Sequence, residues 1–597
     1  MRHILGLALL GFVMASAPAW ANQSLSVVYP PNEHQTTSDR IFLIGTAPPE
    51  GEVLINDKAI ARSRAGHFAP SFPLQLGDNV FTLRYRNQQL QIKVTRLSTK
   101  PEIPAGLAFA KDSLTPAVDI ARLPGELVCF SAIASPNATV SVNLGDQNVP
   151  LLPQPQIQLP PNSAALTQQN QPTSQPVSGQ YQGCTTLPTS FNLLVYGNNI
   201  NTGAVTANSI QPQFQLTVNG QTTTQHSGRI TILSSTQLEV AEVTVDAGVA
   251  RTGPGTDYSR LTPLPKGTRA RITAKEGEWL RLDYGGWINA QETRIVPSTV
   301  PPRSLIRSVS ARQIPDATEI VFPLQVPVPV SIQQGDRTLT LTLYNTTAQT
   351  DVIRLDDNPF ISRLDWQQSA PEQVQYTFNL KSAQQWGYKL RYDGTSLVLT
   401  LRHPPESQQH PLPLAGIKIL LDPGHGGAEL GARGPTGYPE KAINLVISKL
   451  VRDQLVARGA TVYMTREEDI ELSLGDRVAM IDKLEPAIAL SLHYNALPDS
   501  GDAMNTQGFG AFWYHPQAHN LAVFLHNYVV NKLHRPSYGV YWNNLALTRP
   551  ASAPSVLLEL GFMINPTEFE WIVDPQAQSN LASAIAEGIT EWFRSVR

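Results

Sequence analysis

Leu421-Asp-Pro-Gly-His425-Gly-Gly427 puts an imidazole in a turn at the end of an apolar run. Three later fragments offer groups that could complete its chemistry: Glu440-Lys-Ala-Ile-Asn444, Ser491-Leu-His493-Tyr-Asn495 and Leu557-Leu-Glu559-Leu-Gly561. Together they supply two imidazoles and two carboxylates, each at the end of an apolar run or the start of a helix. A catalytic zinc typically takes three protein ligands of these types and leaves a fourth position for water. His425, Glu440 and His493 are the candidate ligands, with zinc expected to lower the pKa of the water and polarise a carbonyl. Glu559 is the candidate catalytic residue, which would take the water proton and return it to a leaving amine. Asp422 and Asn444 are candidates to orient the ligands, although Asp422 reads better as a cap of the turn. The spacing is not that of the HExxH helix. Of the 12 histidines, His515, His519, His526 and His534 lack matching partners and read as surface or hydrogen-bonded residues.

The elements that must position these groups follow from the apolar pattern. Residues 417–422 read as a buried strand ending at the Pro-Gly turn before His425. Glu440 opens a helix with apolar Ile443, Val446, Ile447, Leu450, Val451 and Leu455, closing at Gly459, which is 3.6-residue spacing. Further strands are expected at 461–465, 487–492, 510–513 and 555–559, with helices over 521–533 and 581–593. Such alternation predicts a three-layer α/β domain over 415–597. In open α/β sheets ligands collect beyond the carboxyl ends of strands, where His425, His493 and Glu559 all fall.

At 597 residues the chain is too long for one core, so several domains are expected. Its 45 basic and 48 acidic residues nearly balance and form no long run of one sign. Nucleic acid and anionic lipid therefore find no electrostatic support as partners. Residues 1–21 read as a secretory signal: Arg2 and His3, an apolar run from Ile4 to Ala15, and Ala19-Trp20-Ala21 at the cleavage site. No later segment is long and apolar enough to cross a bilayer, so no integral membrane segment is expected. Export makes a disulfide between the two cysteines, Cys129 and Cys184, the expected pairing.

The part before residue 415 reads as all-β modules. Residues 22–98 alternate short apolar runs with turns and resemble bacterial immunoglobulin-like sandwiches. Residues 99–235 form a second β-rich region, interrupted between Pro153 and Pro176 by a Pro-, Gln- and Asn-rich tract that reads as a mobile loop. Residues 240–298 carry Val249-Ala-Arg251-Thr-Gly253-Pro-Gly255-Thr, Lys266-Gly267, Glu278-Trp279 and Gly286-Trp287, and resemble the bacterial SH3-type domain. That resemblance implies binding to cell-wall glycan or peptide, while the tryptophans read equally as core. Residues 302–405 hold a near-repeat, 308–343 against 361–401, similar to the AMIN module that localises envelope enzymes. Pro404, Pro405 and 408–413 then read as a linker.

The C-terminal motifs closely resemble the type 3 N-acetylmuramoyl-L-alanine amidase family. They are His425 in its DPGHGG turn, Glu440-Lys441 with Asn444-Leu445, Thr465-Arg466 with Asp469, Leu474 and Arg477, His493-Tyr-Asn495-Ala496, and Glu559-Leu-Gly561-Phe562 with Asn565. The resemblance implies cleavage of the amide between N-acetylmuramic acid and L-alanine in peptidoglycan. It also implies a periplasmic or extracellular, envelope-associated location, with peptidoglycan as substrate and wall-targeting or division-machinery proteins as partners. Tyr494 replaces a small residue usual there, a change expected to touch substrate fit. Only 497–507 separates the second histidine motif from the next strand, too short for the autoinhibitory helix that some division amidases insert there. The alternatives are a zinc carboxypeptidase or endopeptidase acting within the stem peptide, which would use the same machinery, and a non-catalytic wall-binding scaffold.

Overall fold

Short alternating runs dominate the first two thirds of the chain and give way near residue 415 to long amphipathic helices. A computed structural model describes residues 24–99, 103–154, 156–160, 162–167, 171–175, 179–195, 203–406 and 411–596. The signal segment expected over 1–21 lies outside them. The chain is multidomain, β-rich throughout its N-terminal part, with the helices of length confined to the C-terminal domain. Among the described residues no helix is long and apolar enough to cross a membrane.

In the first module, Gly77–Tyr85 and Gln88–Arg96 form a long antiparallel pair within a five-stranded sheet. Its alternate residues Phe81, Leu83, Ile92 and Val94 are buried against Ile41, Leu43 and Phe68, as period-2 side-chain alternation requires. The second module is built on a six-stranded antiparallel sheet. Cys129 and Cys184 stand directly opposite each other in its register and are bonded. The tract between Pro153 and Pro176, expected as a mobile loop, is a paired element where it is described. Gln156–Gln158 pairs antiparallel with Thr173–Gln175, and a short 3-10 turn covers Asn162–Thr167.

Ile120–Arg122 of the second module pairs with Arg269–Glu276, so residues 99–235 and 240–298 share one sheet. Within the 240–298 segment Trp287 is buried and Trp279 half-buried. Both rings lie near guanidiniums, Arg251 by Trp279 and Arg122 and Arg281 by Trp287. Residues 304–402 form a five-stranded and a four-stranded sheet around one core that includes Ile320, Phe322, Leu341, Tyr376 and Phe378. Arg402 ties this module to the C-terminal domain by donating Nη1 to the carbonyls of Pro486 (2.7 Å) and Ser552 (2.8 Å).

The elements of the C-terminal domain are, in order, β1 (Lys418–Pro423), α1 (Glu440–Ala457), β2 (Thr461–Met464), α2 (Leu474–Leu484), β3 (Ile488–Asn495), β4 (Phe509–Trp513), α3 (Pro516–Leu533), β5 (Ser537–Trp542), β6 (Ser555–Phe562), α4 (Pro566–Ile572) and α5 (Pro575–Ser595). The sheet order is β2-β1-β3-β6-β4-β5. Strands β2, β1, β3 and β6 run parallel, and β4 is antiparallel to β6. Helices α1, α3 and α5 pack on one face, where Ile443, Ile447, Val451 and Leu455 of α1 meet Ile419, Leu421, Leu490 and Leu492. The other face carries Leu420 and Ala489 against Ile481 of α2. The strand at 537–542 and the helices at 474–484 and 566–572 go beyond the sequence expectation; the first helix buries only Arg477 and Ile481 and the second has only seven residues, so neither repeats an apolar period often enough to stand out.

Candidate metal centre

Three of the four groups singled out from the sequence converge at the carboxyl end of β1 and β3. The chain leaves β1 through Pro423 and Gly424 and places His425 in the left-handed region, φ 60°. Glu440 is the first residue of α1, where the helix N-terminus favours a carboxylate. His493 lies near the end of β3. Glu440 bridges the two rings: Oε2 is 3.1 Å from His425 Nε2, and Oε1 is 3.0 Å from His493 Nδ1. The ring centroids are 4.9 Å apart at 81°. One ligand atom from each residue falls within 4.8 Å of the other two, a spacing that suits a shared cation.

Glu440 is held from behind as well. Its Oε1 accepts Asn444 Nδ2 at 3.0 Å and the Tyr494 amide at 3.1 Å, and its Oε2 accepts the Ala432 amide at 2.8 Å. Burial would raise its pKa, but the two imidazoles overcome this and hold the carboxyl well below the usual range. Two glycines make the approach possible. A Cβ on Gly424 would lie 2.2 Å from a His493 ring carbon, and one on Gly431 would lie 2.4 Å from Glu440 Oε2.

Glu559 is the neighbour of His493 in the β3–β6 register and of Gly510 across the β4–β6 pair. Its environment is the reverse of that of Glu440. Oε2 is buried and takes no hydrogen bond from the described residues. Burial, and then the charge of Glu440, push its pKa well above the ordinary carboxylate value. Two carboxylates with opposite shifts in one cleft are the arrangement expected of a ligand and a proton shuttle.

A family model for N-acetylmuramoyl-L-alanine amidases matches residues 419–591, the stretch that holds all four groups. The C-terminal domain belongs to that family. Over 183 residues the chain is 37% identical to a probable cell wall amidase, LytH, of Staphylococcus aureus, a match covering 30% of this chain and 60% of the relative. The chain thus spans less than two thirds of the curated relatives it matches. Among solved structures, an N-acetylmuramoyl-L-alanine amidase from Clostridium difficile 630 is 26% identical, with 30% of this chain and 97% of that chain covered and a TM-score of 0.29. The catalytic domain of the amidase CwlV from Bacillus (Paenibacillus) polymyxa is 29% identical, covering 30% and 99%, with a TM-score of 0.28.

In the amidase domain the ligand turn is clamped by groups whose role the sequence did not reveal. Asp422 is 1% exposed and accepts Thr465 Oγ1, Ser491 Oγ and Arg477 Nη1, each at 2.6 Å. Burial opposes its ionisation, but the Arg477 guanidinium and the two hydroxyls keep its pKa below the ordinary value. Arg477 also donates to the carbonyls of Pro423 and His425, both at 2.8 Å. Arg466 reaches the Pro423 carbonyl at 3.0 Å and that of Gly424 at 2.9 Å. Seven guanidinium and hydroxyl contacts of this kind leave the turn little freedom, which fits the cap reading of Asp422. The motif residues Thr465, Arg466 and Arg477 carried the only sequence signal for this clamp. Further out, Asp469 accepts the Gly427 amide at 2.9 Å and Lys441 Nζ at 2.6 Å.

Tyr494 points away from the His–Glu cluster and into the core. It is 2% exposed and belongs to the main core beneath the helices, because alternation along β3 turns it away from His493. The other histidines of the amidase domain stay out of the centre. His515 Nε2 lies 2.7 Å from the Arg549 carbonyl, and His526 Nε2 lies 2.9 Å from Ser537 Oγ. His519 packs on Trp513, and His534 ends α3 in the left-handed conformation. Asn565 caps α4 through the amides of Thr567 and Glu568 and donates to the carbonyls of Met504 and Thr506, both at 3.1 Å, so it anchors the 496–508 loop beside the centre.

Proposed function

We propose that the protein is an exported peptidoglycan hydrolase that cleaves the amide between N-acetylmuramic acid and the L-alanine of the stem peptide. The observation that carries this reading is the convergence of His425, Glu440 and His493 on one point, beside an unpartnered Glu559 carboxyl, inside the stretch matched by the amidase family. Two imidazoles and a carboxylate are a donor set suited to zinc, and the two glycines leave room for the rings and the carboxylate to come together. His425 Nε2, a Glu440 oxygen and His493 Nδ1 would hold the ion. Zinc supplies a Lewis acid for the scissile carbonyl and a lowered pKa for water.

Glu559 does the proton work. Its raised pKa brings the carboxyl toward the operating pH, where a general base that must later act as acid is most effective. It takes the proton from the attacking water and delivers it to the leaving amine of L-alanine. Asp422, Arg466 and Arg477 hold the turn that aims His425, and Asn444 orients Glu440. The three-layer arrangement of the amidase domain belongs to this reading, as do the boundaries at 22–98, 99–235, 240–298, 302–405 and 415–597. The immunoglobulin-like, SH3-type and AMIN-like modules hold the enzyme at the wall, in the periplasm or outside. The Cys129–Cys184 bond suits an oxidising compartment of that kind.

Digestion of purified sacculi by the full chain, followed by mass analysis, tests this. Free lactyl carboxylate on muramic acid is expected. Peptide fragments with the muramyl linkage intact would point to cleavage within the stem, and no soluble product would point to a scaffold. Metal analysis of the purified protein is expected to find one zinc per chain.

A further inference from the structure

Beside Glu559 lies a polar cavity of about 500 Å³ whose walls come from three parts of the chain. Arg40 comes from the first β module, Ala165 and Leu166 from the 3-10 turn of the second, and Asp502, Asn505 and Tyr538 from the amidase domain. We propose that this cavity binds the stem-peptide portion of the substrate through a free carboxylate, and that Arg40 determines that specificity; the proposal rests on the peptidoglycan reading above.

The cavity is close to the chemistry. A Cβ on Gly510 would lie 3.2 Å from a Tyr538 ring atom and 3.6 Å from the Glu559 Cβ, so Tyr538 and Glu559 flank one point. Its borrowed walls are fastened to the amidase domain. Tyr538 Oη donates to the Leu166 carbonyl at 3.1 Å. Ser71 Oγ of the first module donates to the Gly501 carbonyl at 3.1 Å, and His34 Nε2 lies 3.0 Å from Asp499 Oδ2, which also accepts Tyr29 through its other oxygen. Phe42, Ile44 and Ala69 pack against Ala503, Phe562 and Ile564 in one buried cluster. Arg40 therefore sits at the start of the Arg40–Phe42 strand, whose other end is packed into the amidase domain.

Charge selects the occupant. The lining carries one acid and one guanidinium. Asp502 is already engaged by Asn505, whose Nδ2 lies 2.8 Å away and whose amide lies 3.3 Å away. Arg40 is exposed and makes no ion pair among the described residues. The lining is balanced in charge, but the Asp502 oxygens are taken up by Asn505 while the Arg40 guanidinium is not, so the group free to pair with a ligand is the cation, set among hydroxyls and amides. The glycan side of the scissile bond is neutral, whereas the stem peptide carries carboxylates, which a guanidinium binds with paired hydrogen bonds. The volume is that of a small-ligand site. The second-module turn borders the cavity and does not fill it, which favours a wall over a plug.

The test reads binding in a turnover-deficient full chain, Glu559→Gln, by calorimetric titration of a soluble muramyl peptide and of the same peptide with its carboxylates amidated. In that background Arg40→Ala is expected to weaken the carboxylate form by about 10-fold, the scale of a charge-assisted hydrogen bond, and to leave the amidated form unchanged. Arg40→Lys should recover part of the loss, which a folding defect would not. Removal of residues 156–175 should weaken both forms. Equal losses for both ligands on Arg40→Ala, or none, would overturn the proposal. Tighter binding after the deletion would also overturn it and make the segment a cover. Absence of lactyl carboxylate from the unmutated chain would instead defeat the amidase reading, so the two failures are separable.

Discussion

The two ends of the amidase sheet treat histidine in opposite ways. At the carboxyl end of β3, His493 and His425 face a shared carboxylate, and alongside it Glu559 Oε2 takes no hydrogen bond from the described residues. Just past the C-terminal end of the antiparallel β4, at the sheet's other end, His515 is half-buried between the rings of Tyr388 and Tyr514, with no ion pair to a carboxylate among the described residues. Its ring nitrogen lies 2.7 Å from a backbone carbonyl, and burial pushes its pKa down to about 4. Burial alone thus makes an inert neutral imidazole. Burial with a carboxylate bridging two rings makes a cluster that could hold a cation. The composition is the same in kind, and the company decides.

The comparison breaks hardest at Glu559. Glu559→Ala should lower turnover by about 10²–10⁴-fold, the range for a lost general acid–base group, while metal content stays near one per chain. His493→Ala should lose both metal and activity. Measuring metal beside activity separates the two roles, and retained activity in Glu559→Ala would sink the assignment. Next comes the clamp. Asp422→Ala leaves Arg477 buried without its partner, a change that typically costs about 3–5 kcal/mol, so a lowered unfolding midpoint is expected together with reduced metal affinity. An Asp422→Ala chain as stable as the parent would show that the two arginines hold the turn unaided.

Gly424→Ala is a subtler probe, since the new Cβ would lie 2.2–2.5 Å from three ring atoms of His493. The ring must move, and weaker zinc retention against a chelator is expected with little change in secondary structure by circular dichroism. The smallest effect belongs to the inert end. Because the folded pKa of His515 lies below its unfolded value of 6.5, the stability linked to it is complete above about 6.5 and is lost as pH falls toward about 4. His515→Gln should flatten the thermal stability of the protein across that window. A similar slope in both proteins would place the acid sensitivity elsewhere.

Much of the site was legible before folding. His425 stood at the end of an apolar run, Glu440 at the start of a 3.6-residue pattern and Glu559 at the end of another run, and those local signals suffice to put each on a strand end or a helix start. The clamp was less legible. Asp422 and Arg477 are separated by 55 residues, and nothing in either segment says that they meet. Tyr494 was misread for another reason: its neighbour in sequence faces the His–Glu cluster, yet alternation sends it into the core. The tract between Pro153 and Pro176 was read from composition alone, which reports poor burial but is blind to a partner surface such as Tyr538.

The sequence by itself therefore determined which side chains could do chemistry and on which ends of which elements they sit, because periodicity and turn residues act over a few positions. Only the tertiary structure decided that Glu440 would be ionised between two rings while Glu559 keeps a raised pKa, since both depend on which strands become neighbours and how much water is excluded between them. The cavity walls likewise arise from contacts across long stretches of chain, 372 residues in the case of Tyr538 and Leu166. No local pattern encodes such a meeting; it follows from burying several apolar faces at once.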